Sequence, residues 1–250
     1  MGIYLKNGER KEDLALYAAL IIFAILFMTG LTTLRGEIIA SVLLAFSSGF
    51  FAFSTLTTWR FYSGIIGKIY KALLVASLCL FVIEVSFLVG FIYSTPIHVI
   101  SIFLAPINIT LGVSMLLGLK YMYDFWIKPI EASKGFYKAL AGGIAVSLIV
   151  VGIVLYIGKI EFFTLRYLVF LSFSIIVLAM LYYITDKLKG GRIGASWKFL
   201  LIAGLLYTIR NIIIEASIIA GIPYTETLPV ELLAIYSYIC AGYGMLKQRF

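Results

Sequence analysis

Apolar residues in this chain do not alternate with polar ones; they come in blocks of about twenty, separated by short clusters of charged and turn-forming residues. As an α-helix, about twenty residues span about 30 Å, the hydrocarbon thickness of a bilayer. Residues 139–158 and 199–209, for example, contain no charge. A membrane β-barrel would need strands of about ten residues with alternating polarity, and no such alternation is present. The blocks predict eight helices, at 13–34, 38–59, 72–93, 97–119, 139–158, 166–185, 199–222 and 230–246. The expected fold is therefore an all-α integral membrane protein with short connections and no soluble domain. The first block is too long for the apolar core of a secretory signal and has no small-residue cleavage site, so it is expected to remain as the first helix.

Composition agrees with this pattern. Charged residues make up 13% of the chain and hydrophobic ones 62%, whereas a soluble domain carries about 25% charged residues. The cations are also unevenly placed. Sixteen of the twenty Lys and Arg fall on the side that holds both termini, three (Arg35, Lys159, Arg166) fall on the other, and Arg210 lies inside a span. Cytoplasmic loops are enriched in Lys and Arg, so both termini are expected in the cytoplasm, with the cell membrane of a prokaryote as the setting. This asymmetry and attraction to anionic headgroups account for the net charge of +8 without nucleic acid as a partner. Cys79 and Cys240 both lie within spans and read as packing thiols.

The chain also repeats itself. "GIIGKIYKALLVA" (64–76) is followed 127 positions later by "GRIGASWKFLLIA" (191–203), with seven of thirteen places identical. At the same offset Leu44, Phe46, Ser47, Ala52 and Thr58 meet Leu171, Phe173, Ser174, Ala179 and Thr185. "EVSFLVGFIYS" (84–94) then lies over "EASIIAGIPYT" (215–225) at an offset of 131, and Pro96 over Pro229 at 133. These matches predict two four-helix repeats, 1–125 and 126–250. Four spans return the chain to its starting side, so the repeats would be parallel, related by a pseudo-two-fold axis along the membrane normal. The shared segment, with Gly64, Gly67 and Lys71 in one copy and Gly191, Gly194 and Lys198 in the other, falls in a loop entering the third or seventh helix. It reads mainly as a glycine turn, an interfacial aromatic and a snorkelling lysine. A headgroup or phosphate site at a helix start is the competing reading.

Three ionisable residues fall inside spans: Glu84, Arg210 and Glu215. Each costs about 2.5–3.5 kcal/mol at a helix centre unless it finds a partner, water or a function. Glu84 lies about 20 Å beyond Lys71 and Arg210 about 18 Å beyond Lys198 along their helices, at matching depth in the two halves. Arg210 and Glu215 are about 140° apart on one helix, a poor geometry for pairing. The expectation is an ion pair between Glu84 and Arg210 across the pseudo-two-fold axis, with Asn211, Thr208 or Asn108 adding hydrogen bonds. Glu215, nearer the outer interface, is expected to reach water. Pro106 is expected to kink the fourth helix beside Asn108. His98, the single histidine, reads as interfacial.

Most membrane chemistries lack their parts. Bis-histidine haem ligation needs two histidines, a zinc site needs clustered ligands, and Mg²⁺-dependent transfer needs acidic clusters. An intramembrane aspartyl protease needs two embedded Asp, but Asp13, Asp124 and Asp186 lie at span ends or in loops. A retinal Schiff base needs a lysine at mid-membrane. No enzyme activity, cofactor or metal is therefore expected. Two function classes remain: a small transporter or channel-like protein with a polar path between its repeats, and a membrane sensor, scaffold or complex subunit that binds a lipophilic ligand or another membrane protein. Membrane lipids are the expected surroundings in either case.

Overall fold

The computed structural model describes residues 16–29, 36–128, 135–157, 162–188, 191–222 and 224–248. They form α1 (Leu16–Thr29), α2 (Gly36–Trp59), α3 (Gly64–Ile92), α4 (Ile97–Met122), α5 (Gly135–Ile157), α6 (Phe162–Lys187), α7 (Gly191–Ile219) and α8 (Glu231–Lys247). α4 runs on into a π-helical turn, Tyr123–Ile127, and a helical turn at Tyr224–Thr227 with a 3₁₀ turn at Leu228–Val230 leads into α8. Seven of these helices are long and apolar enough to cross a membrane, and α1 is a shorter apolar helix over its described residues. The protein is a polytopic helical membrane protein.

α3 and α7 begin eight residues earlier than the apolar blocks suggest, at Gly64 and Gly191. Hydrocarbon sets the minimum length of a spanning helix, not its maximum, so a helix can continue past the apolar run. The shared Gly-rich segment is thus not a loop; it forms the first turns of two helices. Gly64 itself has φ +62, a backbone that L side chains rarely adopt, and it swings the chain from α2 into α3. The aromatics of the segment are not interfacial either. Tyr70 is buried and stacks on Tyr62 at 4.8 Å between ring centroids, and Trp197 is fully buried. Lys71 and Lys198 remain exposed.

Six helices close a ring in the order α2, α3, α4, α6, α7, α8, each packed on the next, and α8 packs back on α2. α5 lies outside the ring against α6. α1 also lies outside, with Phe23 against Phe46 of α2 and its Leu20 carbonyl accepting a bond from the Tyr236 hydroxyl of α8. α8 is the innermost helix, with 67% of its span buried, against 17% for α5. In hydrocarbon, apolar surface gives helices no drive to associate, so close approach at small residues and interhelical hydrogen bonds hold them together. The α2–α8 seam shows both. A Cβ on Gly242 would stand 2.6 Å from the Phe50 ring and 3.3 Å from the Phe51 Cα. The Thr58 hydroxyl of α2 donates to the Met245 carbonyl of α8 at 3.0 Å.

The buried hydroxyls of α2 are otherwise turned inward on their own helix. Ser47, Ser48, Ser54 and Thr55 each donate to a carbonyl three or four residues back, so they fill space without leaving a polar group unmet. Overpacking at the seam should be costly. Gly242→Leu is expected to destabilise the fold by about 1–3 kcal/mol, read as a lower thermal midpoint in detergent. Gly142→Leu is the control, because nothing lies within 4 Å of a Cβ there, and its midpoint should not move.

Candidate functional site

Two polar clusters and a cavity lie among the ring helices in the described residues. The first cluster starts at Glu231, the first residue of α8, where the unpaired amides of the helix start favour a carboxylate. Its fully buried carboxylate meets the fork of Arg210 from α7, Nη2 to Oε1 at 2.5 Å and Nε to Oε2 at 3.0 Å. Such a two-toothed pair is the strongest geometry open to arginine and carboxylate. Arg210 Nη1 also donates to Asn211 Oδ1 at 3.0 Å, and Asn211 Nδ2 donates to Ser174 Oγ of α6 at 2.7 Å. The cluster therefore ties together α6, α7 and α8.

The second cluster ties α8 to α3. The Tyr238 hydroxyl donates to Glu84 Oε1 at 2.6 Å, and the Tyr207 and Tyr238 rings lie 6.0 Å apart. Arg210 Cζ stands 6.0 Å from the Tyr207 ring centroid, which brings the two clusters side by side. The expected Glu84–Arg210 ion pair is therefore not formed: Arg210 pairs with Glu231, and Glu84 is held by a tyrosine. Arg210 and Glu231 are close in sequence but separated by the turns before α8, so no helical spacing rule links them. Two cues in the sequence could have found the pair: an acidic residue two places after Pro229, and an arginine with no acidic residue three or four places away.

Asn211 does join the arginine as expected, but Thr208 and Asn108 do not. The Thr208 hydroxyl donates to the Gly204 carbonyl at 2.8 Å. Asn108 is 7% exposed, and neither amide atom has a hydrogen-bond partner among the described residues. Glu215 is also buried, at 2% exposure, with both carboxylate oxygens unpartnered among the described residues, so it does not reach water as expected. α4 continues unbroken through Pro106, which is exposed on the opposite side from the ring interior. The side chain of His98 lies outside the described residues.

The cavity is lined by residues of all six ring helices and has a volume of about 100 Å³. Phe51 of α2, Leu80 of α3, Phe173 of α6 and Leu200 of α7 are typical of its hydrocarbon walls. Its polar lining groups are Asn108, Ser174, Tyr207, Thr208, Ser237 and Tyr238, with no ionisable carboxylate, lysine or arginine among them. Tyr238 separates the chamber from Glu84, because its ring lines the cavity while its hydroxyl points to the carboxylate. Comparison of the chain with protein-family models, with curated proteins and with solved structures finds no match.

Two substitutions at this site should have opposite effects on stability. Glu231→Gln leaves Arg210 buried without its counter-charge and is expected to cost about 3–5 kcal/mol, whereas the paired change Arg210→Met with Glu231→Leu should recover most of that loss. Asn108→Leu removes an unpaired buried amide and should stabilise by about 1–3 kcal/mol. Equilibrium unfolding of each variant in detergent reads both effects. An Asn108→Leu protein less stable than the parent would show that the amide is satisfied in solution.

Proposed function

We propose that this protein is a membrane receptor that holds a small, uncharged, mainly apolar molecule in the chamber between its two halves. The observation that carries this reading is the chamber itself: it is walled by six helices drawn from both halves, almost wholly hydrocarbon, and lined by no charged side chain among the described residues. Transport along a polar path has less support, because Arg210, Glu231 and Glu84 are engaged with protein partners and none of them lines the chamber. A small apolar molecule crosses a bilayer unaided, so a carrier would add little to its movement, whereas a binding site can report its presence.

The two halves in this reading are the parallel four-helix repeats, 1–125 and 126–250. Ring contacts support the duplication. Exchanging α2, α3 and α4 with α6, α7 and α8 turns α2–α3 into α6–α7, α3–α4 into α7–α8, and α2–α8 into α6–α4, and every one of these pairs is in contact. The uneven spread of Lys and Arg supports a topology with both termini in the cytoplasm. The short connections supply no output module of their own, so a separate membrane partner is the expected recipient of the signal.

Protein purified in nanodiscs should retain a small apolar compound that solvent extraction and mass spectrometry detect. A chamber-filling variant, Ala203→Phe, should lose that compound. Proteoliposomes should show no K⁺ flux above protein-free vesicles. Flux that disappears in Glu84→Gln would instead reinstate transport along a polar path.

A further inference from the structure

We infer that the molecule held in the chamber carries a hydroxyl group, and that the Asn108 side-chain amide reads it. This rests on the receptor reading and assigns its ligand class: a neutral alcohol or phenol with an apolar body.

The argument is one of elimination among the polar groups of the wall. The Tyr238 hydroxyl donates to Glu84 at 2.6 Å, Ser237 to the Ala203 carbonyl at 2.8 Å, and Thr208 to the Gly204 carbonyl at 2.8 Å. Ser174 accepts from Asn211 at 2.7 Å and donates to the Phe170 carbonyl at 2.9 Å. The Tyr207 side chain lies beside Tyr238, ring centroids 6.0 Å apart, and shares a side-chain hydrogen bond with it, so each of these groups is engaged within the protein. Asn108, 7% exposed and lining the same cavity, commits neither its NH₂ nor its carbonyl among the described residues. A primary amide offers a donor and an acceptor side by side. Its natural complement is a group that both accepts and donates at one atom, which is a hydroxyl.

Two further features narrow the class. With no carboxylate, lysine or arginine on the wall among the described residues, a charged ligand would be buried uncompensated, at a cost far above what one amide returns. The volume of about 100 Å³ is somewhat below the roughly 150 Å³ of an engineered apolar cavity that takes up benzene. The body of the ligand, or the part of it inside the ring, is therefore no larger than one ring or a short branched chain.

Phenol and toluene are matched probes, alike in shape and different in the hydroxyl. Saturable binding of each, radiolabelled, is measured to the full chain in nanodiscs, with empty nanodiscs subtracted. Both probes should bind the parent protein. In Asn108→Leu the affinity for phenol should fall about tenfold while that for toluene stays level, because only phenol loses a partner in a buried site. Asn108→Ser, which replaces the amide with a smaller hydroxyl that can still donate and accept, should retain part of the phenol affinity and serves if the leucine variant does not fold. If both probes bind and both respond equally to Asn108→Leu, the assignment to Asn108 is wrong and the chamber stands. If neither probe binds the parent saturably, the chamber reading fails as well.

Discussion

The seam between α2 and α8 is the contact on which the rest of the molecule depends. Lipid chains solvate apolar helices as well as other helices do, so a bundle coheres only where backbones come close enough to gain dispersion and hydrogen bonds. At this seam the absent side chain of Gly242 admits the Phe50 ring, and a threonine hydroxyl crosses to the neighbouring backbone. α8 has a second close approach on its other side. A Cβ on Gly244 would stand 2.9 Å from both the Phe199 Cβ and the Ser196 carbonyl of α7. Held on both flanks, α8 fixes where Glu231 meets Arg210 and where Tyr238 meets Glu84.

The opposite side of the ring is built more loosely. α4 and α6 touch over a shorter stretch than α2 and α8 do, and the chamber has Asn108, Leu111, Gly112 and Met115 of α4 on its wall. In register with the two prolines that precede the helices, Asn108 of α4 falls at the place of Ala241 in α8. A methyl group lets backbones close up, while a larger amide with no protein partner holds a space open.

Much of this architecture could be read from the amino acids, because a bilayer leaves few choices. An apolar block of about twenty residues has to become a helix, and each expected block holds an observed helix, with α3 and α7 starting eight residues early, α5 and α6 four, and the first described only over 16–29. The Gly and Ala cluster around Tyr238 marks α8 as closely packed. The partners of individual charges were less legible. Depth along a helix follows from counting residues, so Glu84 and Arg210 could be placed at one level, but rotation about the axis and the approach of a third helix could not. Glu231 stands at a helix start, where a carboxylate looks like an ordinary cap. The chamber left no motif in the sequence, since it arises from the sum of many side-chain volumes.

That sum has a mechanical consequence. A pocket of about 100 Å³ is space the packing leaves unfilled, and pressure disfavours such space. Hydrostatic compression would therefore act on this molecule chiefly through α4 and α6, the loosest pair in the ring, by favouring whichever arrangement fills or closes the space between them. A ligand that fills the pocket and a rise in pressure would then push the same joint in different directions, one bracing it apart and the other driving it shut.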